Sequence, residues 1–132
     1  MRKLTLTLFS ALLMATFLAS NAAAEECRKK ITLSPTAAGN ASDISGASEV
    51  RARVEDKRFK VSMDARVADG TVYVVRVDNS VVGTISINFG DGELELNTND
   101  GAVMPPALSQ VCTAGYVSVA DAAGTTVLTG NF

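Results

Sequence analysis

RFKVSMDARVADGTVYVVRVDN, residues 58–79, is the stretch whose pattern decides the fold class. In its first half Phe59, Val61, Met63, Ala65 and Val67 alternate with Arg58, Lys60, Ser62, Asp64 and Arg66. Side chains of a strand point to opposite faces in turn, so this half reads as a strand with one dry and one wet face. In the second half Tyr73, Val75 and Val77 are interleaved with Val72 and Val74, the composition of a central strand covered on both faces. Asp69-Gly70 stands between the halves as a turn signal. A two-residue turn there would set Met63 opposite Arg76 and mix the core face with charge. A three-residue loop of Ala68, Asp69 and Gly70, with Gly70 left-handed, removes the conflict. Ala65 then faces Tyr73, Met63 faces Val75, Val61 faces Val77, and Lys60 meets Asp78 on the outer face. The expectation is a β-hairpin in that register.

The same alternation extends in both directions. Upstream, Val50, Ala52 and Val54 alternate with Glu49, Arg51 and Arg53, and Glu55, Asp56 and Lys57 turn the chain. Downstream, Asp78-Asn79-Ser80 reverses it, and Ile85, Ile87 and Phe89 form the next apolar face. Phe89-Gly90-Asp91-Gly92 is a further turn, and an even-length loop puts Ile87 opposite Leu94 and Ile85 opposite Leu96. Residues 111–121 and 125–132 are the last two strands, joined at Ala122-Ala123-Gly124 with Gly124 left-handed, and residues 27–33 are the first. Two stretches break the pattern. Residues 34–46 (SPTAAGNASDISG) are small and turn-forming, a loop or a loosely held edge, and contain the glycosylation-type triplet Asn40-Ala41-Ser42. Residues 97–109 contain Pro105-Pro106, which excludes an inner strand and marks a crossing between sheets.

About 7–8 short strands with frequent turns and no helical pattern after residue 24 imply an all-β, antiparallel β-sandwich, Ig-like or jelly-roll-like, with a crossover. A small barrel is the other economical closure.

Residues 1–24 carry Arg2 and Lys3, an apolar run from Leu4 to Leu18, and Ala22-Ala23-Ala24, the sequence of a secretory signal peptide cleaved after Ala24. Removing 24 of 132 residues leaves 108, residues 25–132, enough for a single domain. A chain of that size buries roughly two-thirds of its unfolded surface. No transmembrane segment remains in the mature chain by this reading. Its ten basic and fourteen acidic residues argue against nucleic acid as a partner. Every basic residue after the leader lies between Arg28 and Arg76, whereas Asp78, Asp91, Glu93, Glu95, Asp100 and Asp121 follow without compensation. Such asymmetry marks a partner surface or the solvated outer faces of strands.

Cys27 and Cys112 are the two cysteines of the sequence. In an exported protein they are expected to pair, tying the first strand to the last third of the chain. Closing so long a loop contributes about 4 kcal/mol on the chain-entropy account.

The chemistry-bearing residues are few: there is no histidine and no tryptophan, so general-base work would fall to Asp or Glu. Glu93 and Glu95, two apart on a strand with Leu94 and Leu96 inward, are placed on its outer face. Asp91, Glu93 and Asp100, with Glu95, Asn97 and Asn99 among them, are hard oxygen ligands close together in sequence and candidates for calcium. Their spacing does not match an EF-hand loop, and Asp91 and Asp100 stand in turns where Asp is favoured for backbone reasons. The expectation is no enzyme and no cofactor.

Several segments together carry a resemblance. They are Val77-Asp78-Asn79, Val81-Val82-Gly83-Thr84, Asp91-Gly92 before Leu94 and Leu96, Val117-Ser118-Val119 with Asp121 and Gly124, and the closing Val127-Leu128-Thr129-Gly130-Asn131-Phe132. This order, over residues 47–132, resembles small all-β domains of exported bacterial proteins of unassigned function, written V-x-V-(D/N)-G-x-x-V-G-T and V-L-x-G-x-F. Asn79 stands where that pattern prefers Gly. The resemblance implies a bacterial, exported β domain and carries over no catalytic residues.

The resulting expectation is a non-catalytic binding or structural module, periplasmic or extracellular, whose partner is a protein or an envelope glycan. A fimbrial or adhesive subunit, a secreted inhibitor, a calcium-dependent module and a carboxylate-based hydrolase are the alternatives.

Overall fold

The computed structural model describes residues 26–132. The proposed signal peptide, residues 1–24, lies outside the described residues. Eight strands follow in chain order: β1 (Cys27–Pro35), β2 (Ser45–Ala52), β3 (Lys57–Asp64), β4 (Val72–Val77), β5 (Ser80–Ser86), β6 (Asp91–Asn97), β7 (Tyr116–Ala120) and β8 (Thr126–Asn131). All pairings are antiparallel, in the order β5-β4-β7-β8-β1-β2-β3-β6.

Residues 27–33 of β1 pair with β2, while Ser34 and Pro35 pair with β8. The sheet thus folds over at that point. At the other extreme, the edge strands β5 and β6 meet through the bridge between Asn88 and Asp91. Both junctions lie at the same end of the strands, and the sheet curls into a nearly barrel-shaped wall. Small residues permit the close approach there. A Cβ on Gly92 would lie 2.6 Å from the Ser86 carbonyl oxygen, and one on Gly46 would lie 2.9 Å from Leu128.

The opposite end is closed by residues 98–115. Their three short 3-10 turns, Thr98–Asp100, Pro106–Leu108 and Val111–Thr113, pack against β1, β2, β3 and β5. Leu108 and Val111 are fully buried and complete the core of Phe59, Val61, Met63, Val75, Val77, Ile85, Val117, Val119 and Leu128. Cys112 of this plug is bonded to Cys27 with Cα atoms 5.8 Å apart, which confirms the expected disulfide. Lys29 Nζ donates to the Cys112 carbonyl at 2.9 Å and Lys57 Nζ to that of Ser109 at 2.6 Å.

The hairpin expected over residues 58–79 does not form. Phe59, Val61 and Met63 do face the core, but β3 pairs with β2 and β6, and Met63 stands between Gly46 and Gly92. β4 pairs instead with β5 and β7, placing Val75 between Gly83 and Val119. The intervening residues carry the chain between the two halves of the sheet: Arg66 N–H donates to the Ser42 carbonyl and Gly70 N–H to that of Ile87. Alternation specifies which face a residue takes, and two alternating arms satisfy it as well with other neighbours as with each other. β4 is a central strand, yet Val72 on its outer face is exposed and Val74 half-buried.

The register expected between Ile85, Ile87 and Leu94, Leu96 also fails. The turn at Phe89-Gly90 is real, with both residues at positive φ (53° and 83°), but its arms part at once. Leu94 sits opposite Val61 and Leu96 opposite Phe59.

Residues 34–46 are more ordered than expected. Thr36 caps the short helix α1 (Ala37–Ala41), accepting from Gly39 N–H, and its hydroxyl donates to the Thr126 carbonyl at 2.7 Å. Adjacent antiparallel strands flank this segment, so it is not a crossing; among the described residues the connections between strands that do not pair are residues 65–71, residues 87–90 and the plug.

Candidate functional site

The register brings eight charged residues together on one face. Three cross-strand rows run over the outside of β1, β2, β3 and β6: Arg28–Arg51–Arg58–Asn97, Lys30–Glu49–Lys60–Glu95 and Thr32–Ala47–Ser62–Glu93. Ion pairs connect these rows diagonally. Arg58 Nη2 lies 3.3 Å from Glu49 Oε1, and its Nε lies 3.8 Å from Glu95 Oε1, a charge contact too long for a hydrogen bond. Lys60 Nζ lies 3.1 Å from Glu93 Oε2.

The third row floors an open trough of about 630 Å³, where Thr32, Ala47 and Ser62 leave room between longer side chains. Asp64, Asp91 and Glu93 form its acidic end. Asp64 and Asp91 are register partners, two carboxylates directly across from each other.

Asp91, Glu93 and Asp100 are not brought together. Asp91 begins β6, six steps of about 3.3 Å carry the strand about 20 Å to Asn97, and Asp100 stands in the turn beyond that far end. Glu93 and Glu95 are engaged by Lys60 and Arg58. Asn97 accepts from Asn99 N–H at 3.0 Å, a local cap. Among the described residues, no group of three or more His, Cys, Asp or Glu side chains is arranged to hold a metal ion.

A second constellation lies at the β2–β3 turn. Asp56 is buried, and its Oδ2 accepts from Arg51 Nη2 at 2.9 Å and from Asn99 Nδ2 at 3.0 Å. The interaction anchors the start of the plug to the sheet. An open pocket of about 680 Å³ is lined by Arg28, Arg51 and Arg53, by Glu26, Glu55 and Asp56 itself, and by the exposed Val54, so that three cations and three anions surround the valine. Asp56 sits in a run of charges (Glu55, Asp56, Lys57) that reads as an exposed turn, so the sequence hides its burial.

No known protein family and no curated protein matches the chain.

The tip of the β5–β6 turn holds a third feature. Phe89 is 95% exposed in a left-handed conformation, its N–H donated to Asp69 Oδ1 at 2.8 Å. Sequence alternation had placed Phe89 with Ile85 and Ile87 on a core face. The glycine after it was the signal for a turn that ends the alternation one residue early. Among the described residues no helix is long and apolar enough to cross a membrane.

Proposed function

We propose that the chain is an exported, non-catalytic binding or structural module of the cell envelope or extracellular space, built as a bacterial β-sandwich and released from a leader at residues 1–24. The observation that carries this reading is the outer face of β1, β2, β3 and β6, where a trough floored by Thr32, Ala47 and Ser62 runs to an acidic end at Asp64, Asp91 and Glu93. Hydroxyls and short side chains in an open trough suit a polar polymer, an envelope glycan or an extended polypeptide, more than an apolar metabolite. The irregular segments are poorer recognition loops, because residues 98–115 bury Leu108 and Val111 in the core and residues 36–44 are pinned to β8. A disulfide across 85 residues is compatible with an oxidising compartment.

The test is co-sedimentation of the full chain with the envelope fraction of the cells that produce it, combined with alkylation of free thiols. The expected result is a pelleted chain with Cys27 and Cys112 protected from alkylation, and loss of pelleting in A47R/S62R, which fills the trough. A chain that stays in the supernatant with both thiols alkylated refutes export and binding together. Pelleting unchanged in A47R/S62R refutes the trough.

A further inference from the structure

The charged face has two ends, and they complement each other. On β3, Arg58 and Lys60 project outward two residues apart, and the acids of β6 receive them diagonally: Arg58 toward Glu95, Lys60 onto Glu93. On β1, Arg28 and Lys30 repeat that spacing in the same two cross-strand rows. Arg28 aligns with Arg58 through Arg51, and Lys30 with Lys60 through Glu49. Among the described residues no ion pair engages Arg28 or Lys30. Both are exposed, whereas Lys29 between them turns the other way and donates to the Cys112 carbonyl.

Among the described residues, the backbone of residues 27–33 of β1 pairs only with β2, with Gly130 of β8 packed beside Ile31 and Leu33, and β6 pairs only with β3 beyond the bridge at its first residue, with Gly92 packed beside Ser86 of β5. Arg28 and Lys30 precede the first of these contacts, and Glu93 and Glu95 follow the second. We propose that the basic β1 edge of one copy of this chain adds to the acidic β6 edge of another, so that Arg28 and Lys30 meet Glu95 and Glu93 as Arg58 and Lys60 do within the fold.

Strand direction permits the union. Four antiparallel strands, β1 to β6, alternate in direction, so a copy placed beside β6 without being turned over presents its β1 antiparallel to β6. In direct register Lys30 falls opposite Glu95, and the row Lys30–Glu49–Lys60–Glu95 continues its alternation of sign into the next molecule. Opposite charges directly across a sheet stabilise the pairing, and like charges oppose it. The contact is heterologous: each copy retains one free basic and one free acidic edge, and the assembly grows as an open chain that winds with the sheet twist.

A basic edge standing alone reads as protection against edge pairing. The matching acidic edge on the same molecule turns that protection into selectivity, since it repels β1 from β1 and β6 from β6 while admitting β1 to β6. The inference shares Glu93 with the acidic end of the trough but is tested apart from it, because self-association is read on the purified chain with no envelope component present.

The experiment is sedimentation velocity of the full, oxidised chain over a range of concentrations, at about 20 mM and about 500 mM salt, where screening differs severalfold. The expected result is a weight-average size that rises with concentration and falls at high salt. R28E/K30E, which touches no internal ion pair, should be monomeric, with its association constant lowered at least about tenfold. E93K/E95K should behave likewise, and an equimolar mixture of the two variants should associate again, because each then offers the edge the other lacks. If E93K/E95K does not fold, E93Q/E95Q with the salt series takes its place. A wild-type chain that stays monomeric, a closed dimer indifferent to both edges, or a mixture that fails to associate overturns the proposal.

Discussion

Asp78 holds the start of β7 while it turns the chain from β4 into β5: its carboxylate Oδ1 accepts the Tyr116 N–H at 2.9 Å, and its own N–H donates to the Tyr116 carbonyl at 2.8 Å. Oδ2 adds a longer bond from Gly115 N–H at 3.4 Å. Both turn residues are left-handed, Asp78 at φ 48° and Asn79 at φ 68°, the mirror-image turn that suits the twist of a hairpin and that Asp and Asn tolerate best after glycine. Asn79 therefore fills the place of the Gly in the resembled pattern without breaking the turn. Asp78→Ala loses the acceptor and the tolerance together and is expected to cost about 1–2 kcal/mol in urea unfolding. Asp78→Asn keeps one acceptor oxygen and should recover most of that loss; equal losses in the two variants would count against the carboxylate contact.

This turn shows what was legible in the sequence. Asp78-Asn79-Ser80 announced a reversal, and the reversal joins two strands that do pair, because a two-residue turn leaves the chain no other course. Asp69-Gly70 announced one just as clearly, but seven residues separate β3 from β4, enough for the chain to leave one half of the sheet for the other. Asp69 spends its carboxylate on Phe89 N–H, a partner twenty positions away that no local pattern names. Faces were legible for the same reason partners were not: Met63 had to point inward, but that its neighbours would be Gly46 and Gly92 follows only from tertiary closure. The acidic run of β6 was visible as an outer strand face, whereas its engagement by Arg58 and Lys60 depends on β3 and β6 lying side by side. The disulfide was legible by elimination, with one partner available to each cysteine.

The seam between β5 and β6 separates two glycines by what surrounds them. A Cβ at Gly92 would lie 2.6 Å from the Ser86 carbonyl oxygen and 2.6 Å from Ile85 Cγ2, the first of which is backbone and has nowhere to go. A Cβ at Gly83 would lie 2.7 Å from Leu94 Cδ2, the end of a half-buried side chain that can rotate away. Gly92→Ala is expected to cost about 2–3 kcal/mol and Gly83→Ala less than about 1 kcal/mol. Denaturant midpoints at unchanged slope measure both, and equal costs would mean that the two edges yield together.

Tyr73 supplies the pH dependence. Burial raises its phenol above the ordinary value of 10.0, and the nearby Asp121 carboxylate adds to the rise. The folded state therefore holds the Tyr73 proton more tightly than the unfolded chain does. Stability from this group is fully present below the unfolded pKa of 10.0 and is lost as pH rises through the higher folded value. Tyr73→Phe should flatten the fall in stability above pH 10, measured by urea titration at successive pH values over the time in which the disulfide stays intact. A fall equally steep in the variant would assign the alkaline loss to other groups.

Phe89 combines two costs at one residue. Its φ of 53° is a conformation that an L side chain with a bulky Cβ substituent disfavours by about 1–2 kcal/mol, and its ring, 95% exposed, recovers none of that by burial. Asn tolerates the same backbone and keeps the N–H that Asp69 accepts. Phe89→Asn is expected to raise the stability of the isolated chain by about 0.5–1 kcal/mol, seen as a higher urea midpoint at unchanged slope. A gain of that size would mean that folding does not account for the aromatic ring, and it makes Phe89→Asn the variant to carry into the envelope co-sedimentation assay. A loss instead would show the ring stabilising the folded chain, and with it the fold's own need for Phe89.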